Sequence, residues 1–151
     1  MTIPSKIYLD TNLLYGWFKN KLGKKKSETG ILTFLSEKCK DIEKFISAYS
    51  VAELLVKLKD EFQDREISEN KIAYLFEILR GTIGLKIIYE SKLTETVIKF
   101  ADICGDHNDA IHIEIAKNQN LTLVTKDEAL GKAEKLYPNI MSIGKLMKQF
   151  D

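Results

Sequence analysis

The feature that most constrains this chain is an alternation along its length. Short, mostly apolar runs recur at Lys6 to Leu9, Lys44 to Ala48, Leu85 to Tyr89, Leu121 to Thr125 and, more weakly, Ile140 to Ser142, with longer stretches of helical period between them. Strands that are apolar on both faces need cover on both, and strands separated by helices run parallel through right-handed crossovers. The pattern therefore predicts an α/β/α sandwich around a central, mostly parallel sheet of four to five strands.

The intervening segments read as amphipathic helices. One starts over Leu13 to Phe18. A second, Thr29 to Lys38, sets Ile31, Leu32 and Leu35 on one face, and a third, Val51 to about Phe62, does the same with Leu54, Leu55 and Leu58. A fourth runs from about Ser68 to Arg80 on Ile72, Leu75, Phe76 and Leu79, with Gly81 as its expected stop. Thr94 to Cys104, Asn108 to Lys117, Leu130 to Lys135 and Lys145 to Phe150 complete the series. No repeat, low-complexity segment or linker interrupts it, and 151 residues suit a single domain, 1–151, with a core of its own.

Composition narrows the function classes. A formal charge of +1 excludes a surface that is basic all over, though not a local patch such as KNKLGKKKS, where Lys19 to Ser27 holds five lysines in nine positions. Cys39 and Cys104 have no metal-ligand spacing and fit a reducing, cytoplasmic setting better than a disulfide framework. No run approaches the roughly 18 consecutive apolar residues of a membrane span, and no export signal is visible.

In open parallel sheets, ligands bind beyond the carboxyl ends of the strands. Three strands end on polar candidates there. The run KIYLDTN stops on Asp10, Thr11 and Asn12; the second strand leads through Tyr49 and Ser50 to Glu53; LTLVTKD gives Thr125 and Asp127. Asp106 and Asp109 open the helix before that last strand. Each carboxylate has a purely structural alternative. Ser50 and Glu53 have the spacing of a capping box, Asp106 and Asp109 suit the positive end of a helix, and Asp127 can cap a short helix. Asp10 is the hardest to explain as a cap, because Asn12 could do that job without burying a charge.

Carboxylates gathered at one sheet edge repel one another, and a divalent cation removes the repulsion. An all-oxygen set suits Mg²⁺ or Mn²⁺ rather than Zn²⁺, and the chemistry natural to such a site is phosphodiester hydrolysis by a metal-activated water. His107 and His112 read as bystanders, although His112 lies three residues after Asp109.

The combination KIYLDTNLLYGWF, SVAEL and NDAIHIEIAKNQNLTLVTKDEAL resembles the PIN domain nucleases, and among them the VapC toxins of toxin–antitoxin pairs. The resemblance covers nearly the whole chain. It implies an acidic quartet of Asp10, Glu53, Asp109 and Asp127, with Asp10 and Asp109 as direct metal ligands and Glu53 and Asp127 as further candidates. Asp106 departs from the family pattern and, one helical turn before Asp109, is the alternative to it as the ligand that faces the metal; Ala110 and the apolar run behind it favour Asp109. Asn12 and Thr125 would orient ligands or waters. It also implies Mg²⁺ or Mn²⁺ as cofactor, single-stranded RNA as substrate, cleavage to a 5′-phosphate and a 3′-hydroxyl, a homodimer and inhibition by a small VapB-type antitoxin. Lys24, Lys25 and Lys26 become candidates for RNA contact, against a plain solvated loop. The alternatives are an RNA processing or quality-control nuclease without a toxin role, and a catalytically idle domain that binds RNA or protein. A phosphatase of the haloacid dehalogenase type needs a second Asp where Asn12 stands.

Overall fold

The computed structural model describes residues 2–23, 30–62, 69–89, 107–126, 134 and 137–151, with backbone alone at 69 and 107–109. Its strands are β1 (Lys6–Leu9), β2 (Glu43–Ser47), β3 (Leu85–Ile88), β4 (Thr122–Thr125) and β5 (Ile140–Ser142). They form one sheet in the order β3-β2-β1-β4-β5 with every neighbour parallel. The helices are α1 (Asn12–Lys21), α2 (Gly30–Glu37), α3 (Ala48–Glu61), α4 (Glu69–Ile83), α5 (His107–Asn118) and α6 (Ile143–Lys148). The expected helix Thr94 to Cys104 lies outside the described residues, as does almost all of Leu130 to Lys135. None of the helices is long and apolar enough to cross a membrane, among the described residues.

Side-chain alternation along the strands divides the interior in two. Ile7 and Leu9 of β1, Ile46 of β2 and Val124 of β4 point to the larger core, which is closed by Leu13, Leu14 and Phe18 of α1, Leu35 of α2, Leu58 of α3, Leu79 of α4 and Leu146 of α6. Tyr8 and Leu123 point the other way, onto Ala110, Ile113 and Ala116 of α5. Both faces of the central strands are thus dry, which is why those strands read as unbroken apolar runs.

Two helix ends lie three residues from where the pattern puts them, and α6 starts and stops two residues before the expected Lys145 and Phe150. Helix α4 runs through Gly81 and stops at Gly84, whose φ of 68° is the left-handed conformation a glycine adopts without a Cβ clash. A side chain is tolerated at Gly81, where an added Cβ would meet nothing within 4 Å. Helix α3 begins three residues before the expected Val51, and its capping box pairs Ser47 with Ser50 rather than Ser50 with Glu53. The Ser47 side chain accepts the Ser50 amide at 3.0 Å, and Ser50 reciprocates at 3.4 Å. Glu53 is therefore inside the helix and released from capping. Ser47→Ala should cost about 1–2 kcal/mol in urea denaturation, since it removes a cap and a partner of a buried phenol; an unshifted midpoint would exclude Ser47 as the cap.

In this strand order the chain leaves β1 toward β2 and β3, then crosses back to β4 on the other side. The reversal opens a crevice at the carboxyl ends of β1 and β4, the place where sheets of this kind take their ligands.

Candidate metal centre

Asp10 sits in that crevice. Its amide donates to the Val124 carbonyl at 2.9 Å, extending the β1–β4 ladder by one bond, and its carbonyl accepts the Leu13 amide at 3.0 Å to begin α1. The carboxylate is held separately: Thr125 at the end of β4 donates its hydroxyl to Oδ2 at 2.8 Å. Asp10 is only 6% exposed, a location in which a carboxylate charge is costly without compensation. Neither Asp10 nor Asn12 caps α1. The N-cap is Thr11, which makes no side-chain capping bond. Asn12 instead presents Oδ1 to the Lys57 ammonium at 2.9 Å.

Glu53 enters from α3, one turn before Lys57. Burial pushes its carboxyl up, but the hydrogen bond from His112, the Thr11 hydroxyl and the nearby Lys57 ammonium together outweigh burial and hold the group below its ordinary value. His112, from α5, approaches with Nε2 at 3.2 Å from Glu53 Oε1. One ligand atom from each of Asp10, Glu53 and His112 lies within 4.8 Å of the other two. Three elements far apart in sequence thus converge on the crevice.

The remaining sequence candidates divide as follows. Asp109 is in the first turn of α5, three residues before His112, and is described by its backbone only. Asp106, Asp127, Lys24, Lys25 and Lys26 lie outside the described residues, as does Cys104. Thr125 touches Asp10 directly. His112 and Lys57 are the functional side chains that sequence reasoning missed. Only the Asp109–His112 spacing hinted at the first, and nothing pointed to the second.

The donor set fits a hard divalent cation. Two carboxylates in a half-dry crevice offer oxygen ligands and a net negative charge that an ion of this kind neutralises, and among the described residues no thiolate joins them. The fold and the crevice together define a parallel α/β protein with a carboxylate-lined candidate metal centre at its switch point. The PIN domain model matches residues 7–136, and the chain belongs to the PIN domain family. PIN domains are typically metal-dependent nucleases.

Among solved structures, PAE2754 from Pyrobaculum aerophilum shares the fold, with a TM-score of 0.57 and 18% identity over 96% of this chain and 97% of its own. A PilT N-terminus domain protein, SSO1118, from Sulfolobus solfataricus P2 matches with a TM-score of 0.43 and 14% identity, over 95% of this chain and 92% of its own. No curated protein sequence matches the chain.

Proposed function

We propose that the chain is a Mg²⁺- or Mn²⁺-dependent endoribonuclease acting on single-stranded RNA, and the toxin of a type II toxin–antitoxin pair. The observation that carries the nuclease reading is Asp10 fixed at the switch point by Thr125 with Glu53 beside it, in a chain of the PIN family. Asp10 and Glu53 would hold the ion, with Asp109 and Asp127 joining them. A divalent ion bound there supplies a water of lowered pKa and a counter-charge for the phosphodiester.

The chain's own groups do the rest. Thr125 orients the Asp10 carboxylate, and Lys57 holds Asn12 at the rim of the crevice, where its amide can meet substrate or water. A cation beside the carboxylates also offsets the repulsion that a phosphate would otherwise meet. Lys24, Lys25 and Lys26 extend that basic character along the RNA, and the toxin works as a cytoplasmic homodimer silenced by a VapB-type antitoxin.

Removal and return of metal test the reading. Purified protein should cut a single-stranded RNA but not its duplex in Mg²⁺ or Mn²⁺, leave 5′-phosphates, stop in chelator and restart when the ion is restored. Cleavage that persists in chelator, or none in either ion, would overturn it. The toxin role has its own measure: expression should arrest growth, and co-expression with a neighbouring small gene should relieve the arrest. Undisturbed growth with intact cleavage would return the protein to RNA processing.

A further inference from the structure

His112 is one of the most enclosed polar groups in the protein, 3% exposed, and both of its ring nitrogens are engaged. Nδ1 meets the Tyr8 hydroxyl at 2.7 Å, and Nε2 meets Glu53 Oε1 at 3.2 Å. The ring also packs at 5.6 Å from the Tyr8 ring and 5.5 Å from the Tyr49 ring, centroid to centroid. It has no room to turn away. Behind it the Tyr8 hydroxyl rests on Ser47 Oγ at 2.8 Å and Ser50 Oγ at 3.0 Å.

We propose that His112 is a positioning residue of the metal centre: it carries its proton on Nε2, aims Glu53 through that N–H, and is itself held from behind by Tyr8, Ser47 and Ser50.

The hydrogen count supports this assignment. An ionised carboxylate only accepts, so the atom facing Glu53 Oε1 must bear a hydrogen. Each serine hydroxyl already accepts a backbone N–H from the reciprocal cap of α3, and its own hydrogen goes to the phenol or, across 3.1 Å, to the other serine. A neutral ring with its proton on Nε2 has a bare Nδ1, so the phenol donates to Nδ1 and accepts from the serines behind it. Burial keeps the Tyr8 phenol protonated by raising it well above its ordinary value. Every member of the chain is satisfied in this arrangement, which is the condition under which a buried polar network holds its members in one geometry.

A metal-ligand role would require the opposite. Nε2 would have to offer a bare lone pair, and Glu53 would lose its donor whenever the ion departed. Neutral imidazole with its second nitrogen anchored is a common metal ligand, so the protonated atom decides between the two roles. The consequence for metal affinity rests on the nuclease reading; the protonation pattern does not.

The test uses the full chain with ¹⁵N-labelled histidine, and His112→Gln separates the His112 resonances from those of His107. Metal-free protein should show the His112 proton on Nε2, and Mg²⁺ should leave it there. A proton on Nδ1 alone, or loss of the Nε2 proton when Mg²⁺ is added, would refute the positioning role. Calorimetric titration with Mn²⁺ gives the second measure. His112→Ala should weaken binding by about 10–100-fold, the usual effect of losing an outer partner of a ligand. His112→Gln, whose amide nitrogen reaches the Nε2 position with a hydrogen to donate, should restore most of that loss. An alanine variant that binds like wild type, or a glutamine variant no better than alanine, would refute the role. Wild-type protein that binds no Mn²⁺ would refute the nuclease reading together with this one.

Discussion

Asp10→Asn is expected to reduce metal-dependent RNA cleavage by more than about 100-fold, beyond the range caused by loss of an outer partner, while the protein stays as stable as wild type or gains slightly. The two halves of this expectation have separate causes. Asparagine keeps the size of the side chain and an oxygen that accepts from Thr125, and the backbone bonds from Asp10 to Val124 and Leu13 do not involve the carboxylate. What disappears is a negative charge in a site where it is nearly buried and close to Glu53. Without metal, that charge costs stability; with metal, it holds the ion. Cleavage assays on nuclease-free protein, with a thermal melt beside them, separate the two effects. Full activity in the variant would sink the proposed chemistry.

The largest effect on stability is expected at Phe18→Ala. Phe18 is fully buried, meets the Phe76 ring of α4 at 6.3 Å and the neighbouring Trp17 edge-on at 5.0 Å. Truncation removes the apolar area of a whole ring and leaves a cavity where α1 and α4 meet, and such changes cost about 3–5 kcal/mol. A chain of this size should then melt about 6–20 °C lower. A loss below about 1 kcal/mol in urea unfolding would mean that the helices close over the gap, contrary to the close-packed interior.

The sheet was legible because its strands are dry on both faces. A run such as KIYL has no polar face to confuse with a helix, and β1 and β5 fall where the pattern puts them. Strand β2 begins and ends one residue earlier than expected, since Glu43 at its start is half-exposed and carries no apolar signal. Helix ends were less legible. Ser47 and Ser50 share one cap, and Ser47 leads because its backbone is extended and its side chain accepts the Ser50 amide. Asp10 stood out because an apolar strand stops abruptly on it. His112 did not, because its partners Tyr8 and Glu53 are 104 and 59 residues away, and no local period records a contact of that range. The Asn12–Lys57 bond spans 45 residues and was invisible for the same reason.

The bond from the Asp10 amide to Val124 has a consequence for how the site can be lost. A residue on a surface loop exchanges its amide hydrogen through small local openings, and a site built there comes and goes with them. Asp10 is tied into the middle of the sheet, with β1 flanked by β2 and β4. Its bond closes the carboxyl end of the β1–β4 ladder, so freeing the amide means opening the end of the sheet's central pair of strands. The Asp10 corner of the candidate metal centre is therefore held by the sheet and not by a loop.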